Sequence, residues 1–371
     1  MLPRATDDLP RLPGRCSPQE RSCEEVLLKA PARTGVHHWL KVAKTGLGTQ
    51  QVRAAIARSV GLDAEVVACA GNRDRAGRCV QWFSLPEALV DHPGPLRRAG
   101  VQGKMQVLEL TASHKAVTPE LVERLSWTLT LRGAAAGDGY RAARRLLDRL
   151  RHAGCPNYVA PERFGAAGAH ARLGRKLLAG GRLPPQAAAA GTDAGRCLRA
   201  AQEWLFNRYL AARVADGLLA RCLPGDVVRG SRGEVALAGD PAHSEKRFAS
   251  WEAVALGPLF GEGMLPAAGE AAAREAAVLV ENELSPAQLK RLHGERRAVR
   301  YQPGRASIDP AGGDLVLNCE LPTDAYVSEL LAEFLLAAPP GGGAGGAAGG
   351  VAEGETGGGA DGAAPSTGED A

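Results

Sequence analysis

The sequence predicts an α+β protein in which a second, more helical domain interrupts the first. Short strand patterns alternate with helices in the first 131 residues, and a long helical pattern covers residues 195–219. Apolar residues then return at every second position, at Leu315, Leu317, Cys319 and Leu321. A strand region, a helical insert and a second strand region together indicate a discontinuous domain, and 371 residues are long enough for two domains.

The first third of the chain predicts a strand, a turn, a helix and a further strand. Residues 39–42 form a strand pattern, residues 44–48 have turn chemistry, and Thr49 can cap a helix that ends near Val60. The apolar run 66–70 and the strand pattern 79–84 then flank the charged segment 71–75. We expect this charged segment to be a loop between two strands.

Farther along, residues 105–110 and 127–131 have strand patterns, and residues 140–152 predict a basic amphipathic helix. A domain boundary is expected at residues 154–156, and Thr323 or Asp324 can cap a last helix from about residue 325. The predicted division is a flexible segment 1–20, a first catalytic-domain part 21–153, an insert 154–293, a second catalytic-domain part 294–337 and a disordered Gly/Ala-rich acidic tail 338–371. The segment 1–20 is expected to be loose unless a later part of the fold tethers it.

Composition favours a cytoplasmic protein, and its positive charge suits a polyanionic partner such as RNA, although many Arg-rich soluble proteins are basic without binding one. The net charge is +4, but the tail from residue 341 holds five acids and no Lys or Arg, so the rest of the chain carries +9. No apolar run approaches the roughly 18 residues of a membrane helix, and the first twenty residues contain no apolar leader pattern. The eight cysteines form no Cys-x-x-Cys pair and are expected to be reduced; the histidines have no ligand spacing, so no metal is expected.

Asp74 is the candidate for chemistry in the charged loop. Arg73 and Arg75 flank it, and Gly71 and Gly77 permit a tight turn. Neighbouring guanidinium groups favour the ionised carboxylate, which can act as a nucleophile or base, and arginines can hold phosphates. The residue pattern by itself also fits an ordinary turn aspartate in solvated ion pairs.

Residues 71–82 resemble a motif of the tRNA pseudouridine synthase D (TruD) family, Gly-x-Lys-Asp-Lys-x followed by x-Gln-Trp, whose catalytic aspartate matches Asp74. Other segments are similar to family motifs in the same order. They are residues 44–49 (Lys-x-Gly-x-Asn-Thr), 156–165 (Pro-Asn-Tyr-Phe-Gly-x-Gln-Arg-Phe-Gly), 205–207 (Leu-Phe-Asn), 295–298 (Arg-Arg) and 321–330 (Leu-Pro-x-Gly-Ser-Tyr/Phe-Ala and Glu-Leu). The likeness spans about residues 15–330.

The resemblance implies an enzyme that isomerises uridine to pseudouridine in tRNA, typically at position 13 of the D arm, without a cofactor or metal. It implies a catalytic domain with a mixed, largely antiparallel sheet and an inserted TruD-type domain. The implied partner is tRNA, with no obligate protein partner and no membrane.

The resemblance also assigns site residues by position. Arg15 matches the cation that pairs with the catalytic aspartate, and Trp127 matches a base-stacking phenylalanine. The expected RNA contacts are Lys44, Arg73, Arg75, Asn157, Arg163, Phe164, Arg296 and Arg297. Core packing is the competing interpretation for Phe164, as it is for Trp82 beneath the loop.

Two positions depart from the family pattern near the expected substrate. Arg21 stands where the family has phenylalanine, and Leu125 stands where it has asparagine, which could hydrogen-bond the base. A non-catalytic RNA-binding paralogue, such as a tRNA chaperone, is therefore the alternative hypothesis. An unrelated Asp-dependent hydrolase is not favoured, because no partner carboxylate, Ser/His pair or metal spacing accompanies Asp74.

Overall fold

The structure is a computed structural model that describes residues 2–73, 75–239 and 241–336. Within these residues the strands are β1 Arg21–Leu27, β2 His37–Thr45, β3 Ala68–Cys69, β4 Arg78–Pro86, β5 Gly100–Val101, β6 Met105–Ser113, β7 Val122–Leu131, β8 Cys155–Pro156, β9 Val227–Gly230, β10 Val235–Leu237, β11 Ala253–Leu259, β12 Glu295–Ala298, β13 Arg300–Tyr301, β14 Gly304–Ala311 and β15 Asp314–Pro322. The helices are α1 Thr49–Ser59, α2 Gly94–Arg98, α3 Gly139–Ala153, α4 Ala169–Leu178, α5 Pro185–Ala189, α6 Ala194–Ala215, α7 Pro241–Ala249, α8 Gly269–Glu281, α9 Pro286–Leu289 and α10 Val327–Phe334.

A large mixed sheet forms the first part of the fold. Its strand order is β14-β15-β7-β1-β4-β2-β6-β5, and the short β3 pairs with β4. Its described pairings are antiparallel except that of β1 with β4, which is parallel. The predicted mixed, largely antiparallel sheet is therefore confirmed, and the strands expected near residues 40, 80, 107, 129 and 318 all belong to it.

Helices pack their apolar residues on this sheet. Val52 and Ile56 of α1 lie in one buried cluster with Leu40 of β2 and with Phe83 and Leu85 of β4. Helices α3 and α10 contribute to a second cluster with alternate residues of β7 and β15. In β15 the buried members are Leu315, Leu317, Cys319 and Leu321, as the period of two predicts.

The segment expected to be an insert contains a smaller sheet as well as helices. Strands β10-β9-β11-β12 form this four-stranded sheet in the described residues, and α6 packs on β11. The strands were not foreseen, since the sequence indicated a mainly helical region. Strand β12 lies beyond the predicted boundary at residue 293 but belongs to this second sheet, and the chain rejoins the large sheet at β14.

The N-terminal segment is tethered by the last helix. The amide of Leu12 donates to the carbonyl of Phe334 at 2.8 Å, and Leu336 donates back to Leu12. Arg4 forms an ion pair with Glu329 at 2.6 Å. The segment 1–20 was expected to be loose unless a later part of the fold tethers it, and α10 provides such a tether for residues 2–20. The tail 338–371 lies outside the described residues.

The parallel pairing of β1 with β4 places Cys23 opposite Cys79, and the two form a disulfide. This corrects the expectation of reduced cysteines. The two cysteines are 56 positions apart in the sequence, so their pairing depends on the strand register and has no local sequence signal. In the described residues, no helix has both the length and the apolar character to span a membrane.

One buried ion pair organises the end of α6. The guanidinium of Arg213 makes two bonds to the carboxylate of Asp226, at 2.8 and 2.7 Å, and both side chains are 1% exposed. Asp226 also accepts from the amide of Leu223, and Arg213 donates to the carbonyls of Leu218 and Arg221. The pair therefore closes the loop that leads from α6 to β9.

Replacing Asp226 by alanine is expected to lower the free energy of unfolding by about 3 to 5 kcal/mol, because it leaves a buried guanidinium without its counter-ion. The matched control is Asp216→Ala. It removes a partly exposed pair with Arg274 and is expected to cost less than about 1 kcal/mol. Urea unfolding of both variants tests this, and equal losses would contradict it.

The stability of the chain is expected to depend on pH through Glu333. Burial raises the pKa of this carboxyl to about 7, although Thr6, Arg4 and Arg11 partly oppose the rise. Between the ordinary carboxyl pKa and 7, the folded chain holds a proton that the unfolded chain releases, so stability falls as pH increases through this window.

We therefore expect the free energy of unfolding to decrease by up to about 3 kcal/mol between pH 5 and pH 8 through this group. Glu333→Gln keeps a similar shape but cannot ionise, so its unfolding free energy should fall less over the same range. Chemical unfolding at a series of pH values measures the two slopes. Parallel curves for the wild type and the variant would rule out this assignment.

Candidate active site

The charged loop between β3 and β4 covers residues 70–77 and is shaped by two glycines. Gly71 has a φ of +99°, which an L side chain rarely adopts. A Cβ on Gly77 would lie 2.5 Å from the carbonyl oxygen of Arg21, so this position requires glycine for close packing. The loop is therefore pressed against the start of β1. Asp74 itself lies outside the described residues, but its neighbours Arg73 and Arg75 are described.

The backbone of Arg73 is held from the strand, turn and helix unit that precedes the loop. The amide of Arg73 donates to Oγ1 of Thr49 at 3.1 Å, and Nζ of Lys44 donates to the carbonyl of Arg73 at 3.4 Å. Lys44 also donates to the carbonyl of Leu47 at 3.0 Å. Thr49 begins α1 and Lys44 lies near the end of β2, and both are buried. This unit thus fixes the residue directly before Asp74.

Gln81 joins the loop to the same unit. Its side-chain amide donates to the carbonyl of Gly71 at 2.7 Å, and its side-chain oxygen accepts from the hydroxyl of Thr49 at 3.1 Å. Trp82 is also buried, as expected, and its ring lies 5.7 Å from that of Trp39. The Gln-Trp part of the motif therefore supports the loop from within the sheet.

Glu25 of β1 binds the side chain of Arg73, and the sequence analysis did not identify it. Its Oε1 accepts from Nε of Arg73 at 2.8 Å, and its Oε2 accepts from the backbone amide of Trp82 at 2.8 Å. Arg73 further donates to the carbonyls of Ala70 and Asn72. The guanidinium of Arg73 is thus directed inward and braces its own loop.

Burial and nearby positive charge shift the pKa of Glu25 in opposite directions. Burial raises the pKa of the Glu25 carboxyl, while the guanidinium of Arg73, the amide of Trp82 and the ammonium of Lys44 oppose that rise. Each oxygen of this carboxylate accepts a hydrogen bond at 2.8 Å. A buried carboxylate between two cations can hold a loop in one arrangement, provided that it is ionised.

The other residues expected near the chemistry take different positions. Arg75 and Arg15 are exposed, and Arg15 is fixed through two backbone hydrogen bonds to Arg132. Trp127 is buried in β7, opposite Cys23 of β1, and the N–H of its indole is without a hydrogen-bond partner among the described residues. Leu125 is buried opposite Glu25.

Asn157 and Arg297 form a contact with the segment before α10. Arg297 donates to the backbone and side-chain oxygens of Asn157 and to the carbonyl of Asp324, and Asn157 donates to the Asp324 carboxylate at 3.1 Å. The guanidinium of Arg297 also lies over the rings of Phe206 and Tyr326. These contacts give both residues a structural role, and their contact with RNA stays a prediction.

Arg163, Phe164 and Arg296 also make internal contacts. Arg163 pairs with Glu203 at 3.0 Å, and Arg296 pairs with Glu275 in a nearly buried position. Phe164 is 9% exposed and belongs to the core of the smaller sheet region, as the packing alternative for it suggested. Within the described residues, no group of three or more His, Cys, Asp or Glu side chains is placed to hold a metal ion.

The sequence of this chain is similar to those of known proteins over most of its length. The family model for tRNA pseudouridine synthase D (TruD) matches residues 15–183 and 197–334. The tRNA pseudouridine synthase D of Anaeromyxobacter dehalogenans strain 2CP-1 is 35% identical over 341 residues, which cover 90% of this chain and 95% of that protein. A protein of the same name from Thermus thermophilus is 31% identical over 340 residues, with 90% and 92% covered.

A solved structure described as a tRNA pseudouridine synthase D (TruD) from Methanosarcina mazei has the same fold. The TM-score is 0.69 at 17% identity, and the match covers 89% of this chain and 95% of that one. The chain therefore belongs to the tRNA pseudouridine synthase D (TruD) family and is a pseudouridine synthase, an isomerase.

Proposed function

We propose that this enzyme converts a uridine of tRNA, uridine 13 of the D arm, to pseudouridine, with the carboxylate of Asp74 as nucleophile or base. One observation supports this proposal above the others. The residue directly before Asp74 is held at its amide by Thr49, at its carbonyl by Lys44 and at its side chain by Glu25. A loop braced in this way can present one carboxylate in a defined direction.

The reaction is an isomerisation and needs no atom from another molecule. The bond from C1′ to N1 of uracil breaks, the base turns, and C1′ is joined to C5. The proton on C5 leaves, and N1 gains a proton. Asp74 acts on the ribose side, either by attack on C1′ or by removal of a ribose proton. Extraction of the base from its stack costs a few kcal/mol, which contacts to the RNA must offset.

Substrate capture is proposed to use exposed cations and an aromatic surface. Relatives over nine-tenths of the chain are named for tRNA, and the chain before its acidic tail carries +9. Arg75 follows Asp74 and is exposed, which supports the proposal that it contacts a phosphate. Arg15 is proposed as the cation beside Asp74. Trp127 matches the base-stacking position of the family, but its ring is buried in β7, so stacking of the extracted base on it requires that the ring be uncovered when tRNA binds.

The non-catalytic alternative is not retained, because the similar proteins are synthases by name and nothing in the described residues favours a chaperone. Leu125, where the family has asparagine, is a buried core residue in this fold, so this difference by itself is no argument for a chaperone. The expected cytoplasmic location remains a prediction.

Asp74→Ala is expected to abolish pseudouridine formation while leaving folding and tRNA binding within a few-fold of wild type. The reason is that the variant removes the carboxylate and no described contact of the loop. The measurement is pseudouridine mapping of unmodified tRNA transcripts incubated with each protein. Product at one D-arm uridine from wild type alone supports the proposal; product from both proteins, or a product outside the D arm, contradicts part of it.

Arg75→Ala is expected to weaken tRNA binding about equally for different tRNA sequences and to reduce the slope of log affinity against log salt by about 1, because one phosphate contact is lost. Arg221→Ala is the matched control, since it removes an exposed arginine that pairs with Glu245 in another part of the fold. Filter binding at several salt concentrations measures both. An unchanged slope for Arg75→Ala would remove it from the RNA contacts.

A further inference from the structure

Two adjacent glutamates of β1 face opposite sides of the large sheet. Glu24 reaches Lys41 at 2.6 Å, and its side chain is 44% exposed. Glu25 is buried, points to the side of the catalytic loop, and binds both Arg73 and the amide of Trp82. The same strand therefore carries one solvent-facing ion pair and one buried ion pair, and only the second touches the loop.

We propose that Glu25 is a positioning residue for catalysis, which sets the direction of Asp74 by anchoring the side chain of Arg73. This inference rests on the proposed function, since it takes Asp74 as the reacting carboxylate. Glu25 does not touch the substrate in this proposal. Its effect passes through Arg73 and the backbone that joins residues 73 and 74.

The side-chain contact adds to the backbone contacts of the same residue. Thr49 and Lys44 hold the amide and the carbonyl of Arg73, but neither of these two bonds holds its side chain. The bond from Glu25 to Nε of Arg73 adds a third, side-chain anchor at 2.8 Å. Together with the bonds to Ala70 and Asn72, this anchor joins the loop to β1 at the residue directly before Asp74.

Glu25→Gln removes the negative charge of the side chain and keeps nearly the same shape. It can still accept from the amide of Trp82, but it cannot neutralise the guanidinium of Arg73. A guanidinium without its counter-ion is expected to turn toward solvent, because burial of an unpaired charge is unfavourable. In this proposal the anchor that sets the direction of the chain at Asp74 is then lost, and a displacement near 1 Å can reduce a rate by about 100-fold.

The test uses the full chain with Glu25→Gln, the control Glu24→Gln and the reference Asp74→Asn. Single-turnover pseudouridine formation on a tRNA transcript gives the rate of the chemical step, and filter binding gives the affinity for the same tRNA. Hydrogen exchange of the peptide that contains residues 70–78 reports on the loop without any need for activity.

For Glu25→Gln we expect a roughly 10- to 100-fold lower single-turnover rate, a tRNA affinity within about three-fold of wild type, and faster exchange in the loop peptide. Glu24→Gln should match wild type in all three. A merely structural role would lower affinity and global protection together with the rate. Unchanged loop exchange, or a loosened loop with an unchanged rate, would overturn the proposal.

A second set of variants covers the case in which Glu25→Gln does not fold. Glu25→Gln/Arg73→Met removes both charges, so no ion remains unpaired, and it should reproduce the low rate. Arg73→Lys keeps a cation opposite Glu25 and should retain a rate within about ten-fold of wild type. If the double variant is as fast as wild type, Glu25 does not position Asp74.

Failure of the proposed function would look different. If wild type forms no pseudouridine in any tRNA tested, the proposed catalytic role of Asp74 is wrong, and Glu25 cannot be a positioning residue for that reaction. The exchange of the loop peptide would still decide whether Glu25 anchors the loop.

Discussion

The parallel pairing of β1 with β4 is the constraint on which the candidate site depends. It sets Cys23 opposite Cys79 and carries Glu25 to the amide of Trp82, inside the strand that follows the loop 70–77. An antiparallel neighbour would present a different register, and a slip of one residue would turn Glu25 to the opposite face. The disulfide and the Glu25 contacts therefore both report the same register.

The charge buried around the loop is tolerated because Glu25, Lys44 and Arg73 each have close hydrogen-bond partners. Glu25 uses both carboxylate oxygens, Lys44 donates to two carbonyls, and the guanidinium of Arg73 reaches Glu25 and two carbonyls of its own loop. Desolvation of such groups costs several kcal/mol per ion unless hydrogen bonds satisfy them. Such a network has one satisfied arrangement, so it specifies the conformation of the loop more than it adds net stability.

Sequence patterns predicted the parts of the site that are local. The strand, the turn and the helix start at Thr49 follow from period and turn chemistry, and the loop 70–77 follows from its glycines. Glu25 was missed because it lies 48 residues before Arg73 and has no local signal. The strands of the smaller sheet were missed because they are short, and β11 contains Gly257 and Pro258. Which basic residues turn inward, as Lys44 does, depends on tertiary contacts.

The replacement of the motif's first lysine by Arg73 has a direct physical consequence in this fold. A lysine offers one point charge on a flexible stem, whereas a guanidinium offers donors in a planar fork. Arg73 uses this fork in three directions, to Glu25, to the carbonyl of Asn72 and to the carbonyl of Ala70. A lysine at this position could keep the ion pair with Glu25 but could not reach both carbonyls from the same geometry. The arginine therefore ties the carbonyls of Ala70 and Asn72, which precede it in the loop, to Glu25 of β1 through one side chain.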